Sequence, residues 1–219
     1  MLVIAPHPDD ETLGCGGTLL RAVADGASVH WAIATTMSEA TGYDAARIAQ
    51  RNQEIESVAK AYRFDSIHRG AFGTARLDTY PIAKRVEWMS SVISAVKPDT
   101  LFLPHPHDVH SDHAAVFDAA AACTKFFRYP YIQRVYGYET LSETEFGLRP
   151  GVPPFHPTRF VDITQQIEQK IEIMGIFAGE MGAAPFPRSA DSIRALATYR
   201  GAVAGKLAAE AFMVLREIA

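Results

Sequence analysis

Two short stretches hold most of the residues able to do chemistry. Pro6-His7-Pro8-Asp9-Asp10-Glu11 packs an imidazole and three carboxyls into six positions. His105-Pro106-His107-Asp108-Val109-His110-Ser111-Asp112-His113 carries four of the chain's eight histidines within nine residues. Two imidazoles and one carboxylate with an open fourth position form a common catalytic zinc set. His7 and Asp10 stand three apart in a proline-stiffened turn, so both can point at one ion. His110 and His113 are also three apart; on a helical turn they share a face. One can ligate while the other stands beside the metal, and spacing alone permits either assignment. Cys-x2-Cys spacing is absent, which disfavours thiolate ligation. Taken singly, an acidic run at a helix start is also what capping and the helix dipole favour, and a histidine-rich loop is also a solvated loop. Their joint occurrence is what singles them out.

The elements around them read as alternating strands and helices. LVIA (2–5) is a buried strand running straight into the first cluster. A helix over 12–25, a strand over 29–35, a helix over 45–62 and a short strand over 66–69 follow. Next come a helix over 82–96 and the strand TLFLP (100–104), which runs into the second cluster. A helix over 111–127, strands over 135–139 and 159–163, and helices over 165–177 and 189–210 complete the order; 212–218 reads equally as strand or helix. This alternation predicts an α/β fold with a mostly parallel sheet between helical layers. Ligands of such sheets bind beyond the strand carboxyl ends, where strand order reverses. If strand one and TLFLP are neighbours there, both clusters face one crevice. The Pro- and Gly-rich stretch 140–160 breaks the alternation and reads as an irregular loop or lid on a single domain spanning 1–219.

Composition narrows the classes. A chain of 219 residues with 48% hydrophobic residues can bury a core without disulfides. A net charge of −4 offers no basic surface for phosphates, so no nucleic-acid partner is expected. Two cysteines suit a reducing compartment. The first apolar run is only five residues and lacks a basic leader, and no window approaches a membrane span. The expectation is a cytoplasmic protein without a membrane span, with homo-oligomerisation open.

The clusters resemble a known family. His7-Pro8-Asp9-Asp10-Glu11 followed by Leu13-Gly14 and Gly16-Gly17, with His110-x-Asp112-His113 later, is similar to the PIG-L/LmbE-type deacetylases. Arg51-x-x-Glu54 with Ala59, and Ala209-Glu210-Ala211-Phe212, resemble two further stretches of that family, so the likeness spans residue 2 to about 213. The resemblance implies a Rossmann-like three-layer sandwich and a zinc-dependent removal of N-acetyl groups from amino sugars or their conjugates. It implies that His7, Asp10 and His113 hold one zinc ion per chain, that Asp9 is the general base, and that His110 stands beside the reacting carbonyl, oriented by Asp112. An imidazolium at His110 would stabilise the developing oxyanion. Carboxylate and imidazole ligands also accept iron, cobalt or manganese.

Two positions depart from the pattern. Ser111 stands where the family often has proline, and Asp108 where some members have a tyrosine, which leaves Tyr138 as a substitute for that hydroxyl. Arg51, Arg76, Asp78, Tyr138 and Glu139 are the candidates for substrate contact. A dehydrogenase would need G-x-G-x-x-G after strand one, and Gly14-Cys15-Gly16-Gly17 lacks that spacing. An amidase for another sugar-amine conjugate and a non-catalytic metal-binding protein are the remaining alternatives.

Overall fold

The computed structural model describes residues 1–148 and 150–218. In chain order the elements are β1 (Leu2–Ala5), α1 (Asp10–Ala24), β2 (His30–Thr36), α2 (Ala45–Tyr62), β3 (Ser66–Gly73), α3 (Ile82–Val96) and β4 (Thr100–Pro104). Then come α4 (Ser111–Ala122), β5 (Arg134–Tyr138), β6 (Arg159–Asp162), α5 (Ile167–Met174), α6 (Ala190–Ala204) and β7 (Ala209–Glu217). One seven-stranded sheet runs β3-β2-β1-β4-β5-β7-β6. The pairings from β3 through β5 are parallel, and β7 is antiparallel to both neighbours.

Side chains alternate across the sheet, and that alternation divides the core. Val3, Ala5, Trp31 and Ile33 face a core shared with Leu13, Leu19, Val58, Met174 and Ile193 from α1, α2, α5 and α6. Leu2, Ile4, Ala32 and Ala34 face a second core with Met89 and Ile93 of α3 and Val116 of α4. The result is the three-layer α/β sandwich expected. Strand order reverses between β1 and β4, whose carboxyl ends carry the two clusters.

The largest difference from the sequence reading is at the carboxyl end of the chain. The helix expected over 189–210 stops at Ala204, where Gly205 takes a left-handed conformation (φ 68°) as its cap. Residues 209–217 form β7 instead, so the ambiguous 212–218 is strand and the preceding Ala-Glu-Ala-Phe opens it. The expected helix over 111–127 ends at Ala122, and the short strand at 66–69 extends to Gly73.

That strand end has a structural task. Buried Glu210 accepts hydrogen bonds from the backbone N–H groups of Gly17 (2.8 Å) and Thr18 (2.7 Å), within α1. Lys170 of α5 donates to Glu210 (2.7 Å) and to the Leu13 carbonyl (2.8 Å). Gly14 and Gly17 let α1 approach the sheet closely: a Cβ on Gly14 would overlap the Tyr138 ring, and one on Gly17 would lie 2.7 Å from Ile163. Helix α1, whose first turn carries the site, is thus keyed into β7 and α5. Removing one partner of a buried ion pair leaves the other charge uncompensated, at a cost of about 3–5 kcal/mol. Lys170→Met is therefore expected to lower the melting temperature by roughly 10 °C, at about 2–4 °C per kcal/mol for a chain of this size. An unchanged thermal transition would show that the pair is not a support for α1.

Candidate active site

The turn after β1 is fixed at nearly every polar backbone group. The Pro6 carbonyl accepts from the backbone N–H (3.1 Å) and hydroxyl (2.8 Å) of Thr35, at the end of β2. The His7 N–H donates to Asp10 Oδ2 (2.8 Å), the Pro8 carbonyl accepts from Arg51 Nη1 (3.1 Å), and the Asp9 N–H donates to Glu11 Oε2 (3.1 Å). Within this frame Asp9 adopts φ 136°, ψ −28°, a region that non-glycine residues rarely enter. Such a conformation costs about 1–3 kcal/mol and persists only where its surroundings enforce it. Burial holds the Glu11 carboxyl up at about 8.

The turn after β4 ends at His110, the N-cap of α4. N-caps are usually hydroxyl or carboxamide side chains; here the imidazole Nδ1 accepts from the Asp112 N–H (3.1 Å). An accepting Nδ1 places the proton of the neutral ring on Nε2. Burial, then the charge of His7, holds the His110 pKa down at about 4. An imidazolium here would lose this cap bond, so the geometry favours a neutral ring with an Nε2–H donor over the imidazolium expected.

The two turns meet at Asp10. His7 Nδ1 lies 3.3 Å and His113 Nε2 3.4 Å from Asp10 Oδ2. The other nitrogen of each imidazole faces a further carboxylate: His7 Nε2 lies 2.9 Å from Asp112 Oδ2, and His113 Nδ1 2.7 Å from Asp108 Oδ2. Asp108 also accepts from the Thr144 hydroxyl (2.6 Å), and Asp112 from the N–H groups of Ala75 and Leu77 (both 2.8 Å). Asp112 therefore orients His110 through its backbone and His7 through its carboxylate, which revises the role expected for it. Asp108 fills no hydroxyl's place; it fixes a ring. Carboxylate–imidazole pairing of this kind is how metal-bound histidines are held.

The donor set fits a divalent metal. His7, Asp10 and His113 offer three ligand atoms within 4.8 Å of one another, and the buried His113 Nε2 has no hydrogen-bond partner among the described residues. Burial alone would lower the pKa of both rings, but the carboxylates outweigh it, raising His7 to about 9 and His113 well above its ordinary value. The same imidazoles hold Asp10 far below the usual carboxylate range against its burial. The site thus demands positive charge. A second grouping, His7 with His110 and Asp112, meets the same spacing; using His7 Nε2 in it would replace the His7–Asp112 hydrogen bond.

Asp9 and Asp10 border a cavity of about 250 Å³ together with His7, His110, Arg51, Glu143, Glu180 and Arg188. Asp9 Oδ2 accepts from Arg188 (3.1 Å). Burial and the neighbouring Asp10 and Glu180 raise the Asp9 pKa well above the usual range, against the pull of Arg188. Arg51 is buried and pairs with Glu54 (3.1 Å) and Glu180 as well as the Pro8 carbonyl. It supports the β1 turn and lines the cavity.

The other candidates for substrate contact lie elsewhere. Tyr138 is fully buried and donates its hydroxyl to the Ile4 carbonyl (2.9 Å), so it neither reaches the cavity nor replaces an oxyanion-hole tyrosine. Glu139 is held by two bonds from Arg200 (2.8 and 2.7 Å) beside a separate cavity. Arg76 and Asp78 are exposed and do not line the site; only the backbone around Arg76 matters, through Ala75 and Leu77. Sequence reasoning missed Glu143, Glu180 and Arg188, which sit in irregular segments with no spacing to mark them.

Residues 2–124, over half the chain, match the PIG-L family, described as GlcNAc-PI de-N-acetylase. The chain is 26% identical over 227 residues to the diacetylchitobiose deacetylase of Thermococcus kodakarensis, covering 96% of this chain and 80% of that protein. Among solved structures it superposes on the conserved protein TT1542 of Thermus thermophilus with a TM-score of 0.78 at 26% identity, covering 100% of this chain and 95% of that one. It also superposes on GalB, the 4-carboxy-2-hydroxymuconate hydratase of Pseudomonas putida, with a TM-score of 0.76 at 16% identity, covering 100% and 96%. That last likeness is one of fold alone.

The geometry separates ligands from neighbours in a measurable way. Elemental analysis should find that His113→Ala loses its divalent metal while His110→Ala retains it. Asp108→Asn should bind the metal about 10–100-fold more weakly, the usual effect of losing an outer-shell partner. Equal metal content in wild type and His113→Ala would remove His113 from the set.

Proposed function

The chain belongs to the PIG-L family, and on that premise we propose that it is a zinc-dependent hydrolase removing the acetyl group from a small N-acetylated amino sugar or sugar conjugate. The observation that carries this reading is the meeting of His7, Asp10 and His113 beside a buried carboxyl, Asp9, that is not part of the ligand set. A purely structural metal site has no use for that fourth group in a strained backbone conformation. The diacetylchitobiose deacetylase likeness over most of the chain supports an N-acetylated sugar as substrate.

His7, Asp10 and His113 would hold one zinc ion. When bound, it supplies Lewis acidity, lowering the pKa of the attacking water toward about 7 and polarising the acetyl carbonyl. Asp9, with its proton affinity raised by burial, takes the water's proton as the new C–O bond forms. The neutral His110 donates from Nε2 to the oxygen that gains charge. As the C–N bond breaks, Asp9 returns the proton to the departing nitrogen, giving an amine and acetic acid, which ionises to acetate at neutral pH. Arg188 restrains the Asp9 carboxylate, and Arg51 holds the turn that carries it. Two buried free thiols, Cys15 and Cys123, support a cytoplasmic setting. No helix among the described residues is long and apolar enough to cross a membrane.

Because a hydratase shares this fold, the reaction must be measured. Acetate release from a panel of free and nucleotide-linked N-acetyl sugars is the direct test; release from none of them would overturn the reading. Asp9→Asn should keep its metal and lose about 10²–10⁴-fold in kcat, the usual weight of a general base. His110→Ala should keep its metal and lose about 10²–10³-fold, the usual weight of an oxyanion-hole donor. Near-wild-type kcat in metal-loaded Asp9→Asn would remove Asp9 as the base.

A further inference from the structure

Four carboxyl side chains line the cavity beside the ligand set: Asp9, Asp10, Glu143 and Glu180. Three have cationic partners. Asp9 is paired with Arg188 (3.1 Å), Asp10 stands against His7 and His113 (3.3 and 3.4 Å), and Glu180 is paired with Arg51 and Arg188. Glu143 alone has neither an ion pair nor a side-chain hydrogen bond among the described residues, although it is half-buried. A desolvated carboxylate without a cation is costly, and such a group in a cleft is a candidate for function.

Its backbone is not left free. The Glu143 carbonyl accepts from the Val109 N–H (3.1 Å), next to His110, and its own N–H donates to the Thr140 carbonyl (3.1 Å). Thr144, which follows it, accepts from the Thr140 N–H (2.8 Å) and donates to Asp108 (2.6 Å), the carboxylate that holds His113. Ser142, which precedes it, sits at φ 76°, a left-handed conformation rare for a side chain of its kind, and also lines the cavity. A turn with a left-handed residue, anchored to Val109 beside His110 and to the carboxylate that holds His113, therefore presents Glu143 to the site.

We propose that Glu143 contacts the nitrogen of the substrate, accepting a hydrogen bond from the acetamido N–H and pairing with the ammonium of the product. This deepens the deacetylase reading and rests on it for the identity of the amine. The amine left after C–N cleavage takes up a proton at neutral pH, leaving acetate and an ammonium group. That ammonium is the cation Glu143 lacks. Burial already raises the Glu143 pKa, with Asp10 and Asp108 adding to the effect and His113 and His7 opposing it; a bound cation relieves the cost. Glu143 lies outside residues 2–124, the range the family match covers.

The test uses zinc-loaded protein and two probes, D-glucosamine and N-acetyl-D-glucosamine, measured by calorimetry on wild type, Glu143→Gln and Glu143→Ala. Gln keeps the shape and removes the charge. It should weaken glucosamine binding about 10-fold, in line with the loss of one charge-assisted hydrogen bond, and N-acetylglucosamine binding less than about 3-fold, since no charge meets that probe. Metal content and melting temperature should be unchanged in both variants, and Ala should match or exceed the Gln effect on glucosamine. Equal weakening of both probes, an unchanged glucosamine affinity, or no glucosamine binding by wild type would overturn the proposal. Calorimetry needs no turnover, so the two readings fail separately. Charge-dependent amine binding without acetate release sinks the deacetylase; acetate release with charge-independent amine binding sinks the role of Glu143.

Discussion

Each of the two imidazoles beside Asp10 is held at its far nitrogen by a carboxylate, and the rest of the site is arranged around that pairing. Asp112 fixes His7 and Asp108 fixes His113, so the near nitrogens converge on a single carboxylate oxygen. The first pairing crosses between turns, since His7 follows β1 while Asp112 begins α4 after β4, and Asp10 crosses back to His113. Neither turn can be set without the other. The reversal of strand order between β1 and β4 is what allows it, because only there do two parallel strands deliver their turns to one crevice without an intervening strand.

Gathering these charges works against folding, and the scaffold offsets the cost nearby. Asp9 is strained, and Glu11, Thr12 and Tyr62 form a buried chain of hydroxyls and carboxyls beneath it. Glu54, Arg51, Glu180 and Arg188 form an ion-pair chain leading from α2 to Asp9. Glu210 and Lys170 anchor α1 from the opposite side. Ion pairs buried in this way add little net stability compared with apolar packing. What they fix is position, which a site with a tolerance of about 1 Å needs more than stability.

Much of this was legible in the residues. Short apolar runs ending in histidine-aspartate clusters identified β1 and β4, because a buried parallel strand is continuously apolar and its carboxyl end is where polar groups begin. The three-residue spacings brought His7 near Asp10 and His110 near His113. The fate of 209–217 was not legible: alanine-rich sequence favours helix locally, and only pairing with β5 and β6 makes it strand. Tyr138 read as a cavity residue because a strand's end gives no sign of which face a side chain takes; its register beside Pro104 turns it under Gly14. The tautomer of His110 was equally hidden, since it depends on a backbone N–H that exists only once α4 has started. Glu143, Glu180 and Arg188 come from segments without periodicity, and three-dimensional closure alone makes them neighbours of Asp9.

The proposed ligands are His7, Asp10 and His113, with His110, three residues from His113, outside the set. Anomalous diffraction at the zinc edge from crystals of the zinc-loaded protein measures this directly. The account predicts one ion bonded to His7 Nδ1, Asp10 Oδ2 and His113 Nε2 at about 2.0–2.2 Å, with Asp112 and Asp108 still on the far nitrogens and the His110 ring unligated. An ion held instead by His7, His110 and Asp112, the alternative grouping these side chains permit, would contradict it.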